Sequence, residues 1–416
     1  MTLILDYSDK QLECLKRFKN NENIVILGSA GTGKSKIIKD IYKLAKDNYK
    51  NIVLTATTGI AAYNISGMTI HSFMGFGTGS GLLENVINKI RKNKDALNRI
   101  LALDILVIDE ISMMSAKFFE RLNTIFKTLK RNSKFFGGVQ LILSGDLLQL
   151  TPVFDKNTKD IRMIHQSSIF KNLTIVHLDK IFRQSDQLFV DLLARLRIGE
   201  HTESDIDMIS SRLVDCKLED ELNTIHLVPT NKQMQSINIT QLEKLTSKKY
   251  HFTAHFFGDR ELVSELQTQF NQRGLTELTL KVGAKVMLVK NLNVNEGLVN
   301  GSLGIITEFK NGIPLVQFTN KNIKLIEVCD FTLELGKKLA VAKQIPLVLA
   351  WSTTIHKSQS QTLESAILTL DNCFTEHQIY VALSRVRSLS NVYLKTFDST
   401  KIYVNKNVKE FLKPIE

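Results

Sequence analysis

Gly28-Ser-Ala-Gly-Thr-Gly-Lys-Ser35 has the spacing G-x-x-x-x-G-K-[S/T], the pattern of a loop that wraps phosphate. Gly28, Gly31 and Gly33, with Thr32 between the last two, let backbone N–H groups close around phosphate oxygens. A helix beginning after them adds the positive end of its dipole. Lys34 would reach the β- and γ-phosphates of a bound ATP, and the Ser35 hydroxyl would ligate Mg²⁺. Further along, Leu103-Asp-Ile-Leu-Val-Ile-Asp-Glu110 is an apolar run that ends in two carboxylates. Asp109, at a strand end beside a phosphate loop, suits Mg²⁺ coordination through water. Glu110 supplies a general base that orients and deprotonates an attacking water. That pair favours hydrolysis over phosphoryl transfer to another acceptor, which needs no water activator. The plain alternative is a glycine-rich turn that holds nothing, with an Asp-Glu pair arisen by chance.

The flanking residues supply the elements such a loop needs. Asn23-Ile-Val-Ile-Leu27 is a short apolar run, predicted as a buried parallel strand. Residues 36–46 have apolar side chains at 37, 38, 41, 44 and 45, one face of a helix. Two further apolar runs, 51–57 and 139–146, lead into polar stretches at Thr58-Gly-Ile-Ala-Ala62 and Leu147-Leu-Gln149. Strands alternating with helices imply a parallel sheet covered on both faces, with ligands outside the carboxyl ends of its strands. Every polar cluster falls at such an end.

Composition sets the frame. A chain of 416 residues accommodates two or three domains. Its 43% hydrophobic and 23% charged content is that of an ordinary globular protein. No apolar run approaches the roughly 20 residues that span a bilayer, so no membrane partner is expected. The first residues lack a signal-peptide pattern and are not arginine-rich, so neither secretion nor a mitochondrial presequence is expected. Cys14, Cys216, Cys329 and Cys373 are scattered, which suits a reducing compartment and makes no zinc site. His251 and His255 lie four apart without an acidic or cysteine partner, poor grounds for a metal. The net charge of +12 favours a polyphosphate partner such as DNA or RNA, although an excess of this kind is often only solvated surface.

With these residues in view, nearly the whole chain resembles superfamily-one helicases of the 5′→3′ branch, the petite-integration-frequency (Pif) helicases and their RecD-like relatives. Ser8-Asp-Lys-Gln11 resembles the glutamine motif that reads adenine. Residues 55–62 and Gly67-Met-Thr-Ile-His-Ser-Phe73 resemble two strand-contacting motifs. Asp109-Glu-Ile-Ser-Met113 resembles the Walker B box, and residues 117–122 through 136–140 a segment peculiar to the Pif helicases. Gly145-Asp-Leu-Leu-Gln149 is similar to motif III, Phe182-Arg183-Gln184 to motif IV, and residues 354–359 and 380–385 to motifs V and VI. The chain departs from the pattern at Ser360, Thr151 and Leu303, where glycine, proline and arginine are usual.

The resemblance implies an α/β fold of two RecA-like parallel-sheet motor domains in tandem. The first, 1–180, would carry a wedge insertion at 74–100, a glycine-rich loop and then a basic helix around 87–100, or else a solvated excursion. The second would comprise 181–245 and 341–416, with an SH3-like β-barrel at 246–340. Alternation within 278–290 and Asn-Gly pairs at 300 and 311 support hairpins there.

ATP would lie between the motor domains. Gln149 would sense the γ-phosphate, Arg183 and Arg385 would serve as arginine fingers or as structural ion pairs, and Gln11 and Glu364 would contact the nucleotide. Thr57, His71, Phe73, His356, Lys357 and Ser358 are the implied DNA contacts. Phe73 stacks or packs, and Trp351 is expected to pack. The expected activity is ATP-dependent 5′→3′ unwinding of DNA in replication, repair or recombination, by a monomer on single strands and single/double-strand junctions. The alternative is an ATP-gated strand-binding switch without unwinding. The location would be wherever the served DNA resides, nucleus or cytoplasm. The motifs run from one end of the chain to the other, so no regulatory extension is expected.

Overall fold

A computed structural model describes residues 7–77, 81–152, 160–182, 186–213, 224–293, 296–298, 300–335, 338–359, 361–363 and 365–415. The apolar runs of the first half form strands β1 (Ile24–Gly28), β2 (Ile52–Ala56), β3 (Met68–Thr69), β4 (Ile105–Asp109), β5 (Gln140–Gly145) and β6 (Thr174–Leu178). They make one sheet in the order β3-β2-β4-β5-β1-β6, and every pair is parallel. All five residues of β1 and of β4 are buried, so these strands are continuous apolar runs without alternation, as a sheet covered on both faces requires. Register sets Leu27 beside Gly145 and Ala56 beside Asp109, which brings the polar strand ends onto one rim.

Helices α1 (Asp9–Lys19) and α2 (Lys34–Asp47) supply Cys14, Phe18, Ile37, Ile38 and Ile41 to the core beneath this rim. Ser8 and Gln11 form a reciprocal capping box at the start of α1, so the glutamine motif is also a helix start. Helices α3 (Gly59–Asn64) and α4 (Ile70–Met74) follow β2 and β3.

The single basic helix expected around 87–100 is instead two, α5 (Leu83–Lys92) and α6 (Lys94–Leu101). They part at Asn93, which leaves helical geometry and caps α6 by accepting from the Ala96 amide at 3.0 Å. Val86, Ile87 and Ile90 of α5 are buried while Arg91 and Lys92 are exposed, so this is a packed helical pair. In the segment peculiar to Pif helicases, α7 (Ala116–Lys130) packs Phe119 and Phe126 on Phe136, ring centres 5.4 and 5.6 Å apart. Phe136 is buried with φ 47°, a backbone region costly for a bulky residue. Its amide donates to the Oδ1 of buried Asn123 at 2.9 Å, which helps hold that conformation.

The chain falls into two compact units. One holds the described residues within 1–75, 79–223 and 355–416, the other those within 76–78 and 224–354. The first also contains the parallel pair Ser365–Thr369 and Val392–Thr396. The second contains the parallel pair Thr224–Val228 and Ser352–Thr354, together with the β-rich insertion. The α/β class with RecA-like parallel strands in both halves of the chain is thus as expected.

In the insertion, five antiparallel strands run in the order Ile323–Leu325, Ile313–Phe318, Leu303–Lys310, Lys285–Leu288, Leu347–Leu349. Asn311 and Gly312 both have positive φ (51° and 82°), the geometry of a two-residue hairpin turn. The stretch 278–290 is not one strand. It breaks at Gly283 (φ 88°) into Glu277–Leu280, paired with Tyr250–Thr253, and Lys285–Leu288. Trp351 packs against the core of Leu280, Val286, Ile306 and Val316. No helix of the described residues is long and apolar enough to cross a membrane.

Replacing Asn123 by alanine strands the Phe136 amide in the core. The expected cost is about 2 kcal/mol, read as a lowered thermal midpoint, while Asn132→Ala, on the surface nearby, should leave the midpoint almost unchanged.

Candidate active site

A cavity of about 300 Å³ opens at the carboxyl rim of the six-stranded sheet, lined by residues 30–35, Ala61, Asn64, Asp109, Glu110, Gln149, Phe182 and Arg385. Nine expected residues therefore meet in one place: Gly31, Thr32, Gly33, Lys34, Ser35, Asp109, Glu110, Gln149 and Arg385. β1 delivers the loop and α2 begins at Lys34. Gly33 has φ 85°, and a Cβ there would lie 2.5 Å from Gln11 Nε2, so both conformation and space demand glycine. A Cβ on Gly28 would meet Thr32 Oγ1 at 2.6 Å. Lys34 Nζ donates to the carbonyls of Gly28 and Ser29 at 2.7 and 2.8 Å, folded over its own loop. Gln11 is buried behind that loop. Its Nε2 donates to the Thr32 carbonyl and its Oε1 accepts from Ser8, so it braces Thr32 and does not line the cavity.

Asp109 ends β4 and accepts from the Glu110 amide at 2.9 Å. Burial, and next the Glu110 charge, push its pKa up to about 7, against the pull of Lys34. Glu110 has φ 57° and ψ 47°, left-handed geometry that turns the chain sharply off the strand. Thr57 holds this corner: its amide donates to the Asp109 carbonyl at 3.2 Å and its Oγ1 to the Glu110 carbonyl at 2.8 Å. Gln149 donates through Nε2 to Asp146 at 3.3 Å, while its buried Oε1 meets no hydrogen-bond partner among the described residues. Arg385 is 1% exposed. Its Nε donates to the Val381 carbonyl, one terminal nitrogen to Ser384 Oγ and the other to the Gln361 carbonyl.

Several participants were not singled out from the sequence. Asp146 is wholly buried and receives Arg197 at 3.0 Å, the Tyr380 hydroxyl at 3.4 Å and the Leu148 amide at 3.1 Å. Burial alone would raise its pKa, but the charges of Arg197 and Lys34 outweigh that and hold it below the ordinary carboxylate value. The signal for Arg197 was its place four residues after Leu193 on the buried face of the helix Gln187–Ile198. Gln359 donates to Glu110 Oε2 at 3.0 Å, and Phe182 lines the cavity with its amide on the Gly31 carbonyl at 2.8 Å. Both lie inside recognised motifs, yet nothing in their spacing assigns them these partners.

The expected strand contacts divide. His71 is half-buried and stacked on Phe118 at 4.9 Å, and burial lowers its pKa. His356 stacks on exposed Phe374 at 6.2 Å, with Lys357 half-buried beside it. Phe73 and Ser358 need correction. Phe73 is 2% exposed beneath the Arg99 guanidinium, 5.5 Å from its ring centre. Ser358 is fully buried with Oγ donating to the Ile355 carbonyl. Both side chains pack inside the fold. Arg183, Ser360 and Glu364 lie outside the described residues.

Comparison with known proteins gives the same direction. A family model described as PIF1-like helicase matches residues 9–207, and one described as the 2B domain of DNA helicase Pif1 matches residues 262–309. The chain is 35% identical over 410 residues to the ATP-dependent DNA helicase PIF1 of Homo sapiens, covering 97% of this chain and 63% of that protein. It is 31% identical over 532 residues to that of Saccharomyces cerevisiae, with 97% and 61% covered. The chain thus spans somewhat under two thirds of these curated relatives. A crystal structure of Pif1 helicase from Candida albicans superposes with TM-score 0.89 at 33% identity, covering 99% of this chain and 100% of that one. Pif1 from Bacteroides in complex with ADP-AlF3 and single-stranded DNA gives 0.78 at 26% identity, with 99% and 97% covered.

The raised pKa of Asp109 has a stability consequence. Its folded value lies above the unfolded one, so its favourable contribution is full below about pH 4 and is lost as pH rises through about 7. Asp109→Asn, in metal- and nucleotide-free buffer, should stabilise the fold by on the order of 4 kcal/mol at pH 8 and by on the order of 1 kcal/mol at pH 5. Thermal melts at the two pH values check this.

Proposed function

This chain belongs to the PIF1-like helicase family, and from that premise we propose that it is an ATP-dependent DNA helicase that moves 5′→3′ along single-stranded DNA. The observation that carries the reading is the meeting, in one cavity, of the phosphate loop, two strand-end carboxylates, Gln149 and Arg385. A polyphosphate fits a loop of this spacing beside a buried carboxylate pair and a buried guanidinium.

The donor set fits magnesium nucleotide. Ser35 and Asp109 line the same cavity, an oxygen pair of the kind Mg²⁺ takes alongside phosphates. When bound, the ion would neutralise phosphate charge. The amides of the loop would hold the β- and γ-phosphates, with Lys34 exchanging its two loop carbonyls for phosphate oxygens. Glu110 would take a proton from water as the water oxygen bonds to the γ-phosphorus and the bond to the β–γ bridging oxygen breaks, releasing ADP and phosphate. Arg385, joined by Arg183, would neutralise charge developing on the transferred group, and Gln149 would register its presence. Phe182, about half exposed at the cavity, offers a face to the adenine.

Strand binding would run chiefly through backbone phosphates, since a motor cannot depend on sequence. His71, His356 and Lys357 are the side chains assigned to it, and Thr57 links them to the carboxylates. The partner is single-stranded DNA and its junctions with duplex, engaged by one copy of the chain, in whatever compartment holds that DNA. Two structures of Pif1 helicases support the DNA partner, though not the single copy. One Bacteroides Pif1 was crystallised bound to single-stranded DNA, and another structure concerns unwinding of forked duplex by two coordinating Pif1 helicases.

Displacement assays on partial duplexes should show ATP-dependent unwinding with a 5′ overhang and none with a 3′ overhang. Unwinding from the 3′ overhang alone would overturn the polarity, and none from either would favour a strand-binding switch. Glu110→Gln should abolish ATP turnover while nucleotide and oligonucleotide affinities persist. Arg385→Ala should lower kcat at least about a hundredfold with nucleotide affinity nearly kept.

A further inference from the structure

Gln359 directly follows the helical turn Ile355–Ser358, which contains two of the side chains assigned to the strand. It points the other way, into the protein, where it is 3% exposed. Its Nε2 donates to Glu110 Oε2 at 3.0 Å and to Ser112 Oγ at 3.3 Å. Its Oε1 is buried and meets no hydrogen-bond partner among the described residues. The amide is anchored through its Nε2, so a shift of the turn before it that breaks those two bonds would withdraw it. Thr57, from the other strand motif, grips the backbone of the same glutamate. The general base is therefore touched from two directions by residues of the strand-binding motifs.

A general base must aim a free lone pair at its water. An oxygen that accepts an amide hydrogen bond is fixed in direction, with that lone pair turned away from any water. Resting on the function proposed above, we infer that Gln359 is a latch: a positioning residue that parks Glu110 while no strand is bound and releases it when a strand occupies the 355–358 turn. The latch accounts for a site that has all its hydrolytic groups assembled yet holds its base by a neutral amide from the strand-binding side. It also makes idle hydrolysis slow without any change in nucleotide affinity.

The test is ATPase turnover with and without saturating oligo(dT), for the wild-type chain, Gln359→Leu and Gln359→Asn. The leucine variant removes the donor. The asparagine variant keeps the amide but is one methylene too short to reach Glu110, and decides the matter if leucine does not fold. Both should raise strand-free kcat about tenfold, the effect of losing one hydrogen bond to a charged group, and leave strand-saturated kcat within about twofold of wild type. Strand-free kcat that is unchanged, or that falls together with the saturated value, overturns the latch; in the second case Gln359 instead holds Glu110 in its working orientation. A wild-type chain that hydrolyses ATP without strand stimulation overturns the latch but leaves the nucleotide site standing. One with no turnover at all overturns the function proposed as well.

Discussion

Two carboxylates, side by side and buried where a central strand ends, impose the constraint from which the rest of this structure follows. Asp109 is 5% exposed and Glu110 is 9% exposed, so their mutual repulsion is poorly screened. The fold meets that cost locally. Asp109 is pushed toward the protonated form, Lys34 contributes opposite charge, and Thr57 fixes the left-handed corner between them through two backbone carbonyls. No stability argument calls for this arrangement. It makes sense as a seat for positive charge brought from outside, the usual trade of stability for activity at a working site.

A second buried charge, Asp146, is organised differently. It lies just beyond β5 and is met by Arg197, Tyr380 and the amides of Leu148 and Gln149. Arg197 and Tyr380 come from helices far along the chain, so their contacts hold distant segments in register around the cavity. Removing Arg197 would leave an uncompensated carboxylate, which is far costlier than the worth of the pair itself. Tyr380 and Arg385 share one short helical segment and its end, so the same knot sets where the guanidinium sits. Gln149 is oriented by Asp146 on one side while its Oε1 meets no partner among the described residues. Asp146 thereby positions a polar group at the cavity wall without entering the cavity.

The local chemistry of the nucleotide loop was fully legible in the sequence, because glycine spacing, the preceding apolar run and the following helical period all speak about neighbours in the chain. Asn311-Gly312 was legible for the same reason: two residues that tolerate positive φ name their own turn. Continuous pattern misled where a single residue intervened. Asn93 divides a basic helical stretch in two by capping the second part, and Gly283 divides an alternating stretch by turning left-handed. Burial of Phe73 and Ser358 depends on what packs over them, and neither residue type nor motif membership reveals that. Gln359 and Arg197 act across gaps of 249 and 51 residues. Such pairings are decided by the assembled fold, so the sequence marks the residues without naming their partners.

The central claim, that about half of Asp109 is protonated near pH 7 before a magnesium nucleotide binds, is tested most directly by calorimetric titration at that pH. Binding enthalpies measured in buffers of different ionisation heat yield the number of protons released per nucleotide bound. The account predicts that the wild-type chain releases a substantial fraction of a proton more than Asp109→Asn, as a carboxyl with pKa about 7 ionises on meeting the ion. Equal proton release by the two proteins, with nucleotide bound by both, would contradict it.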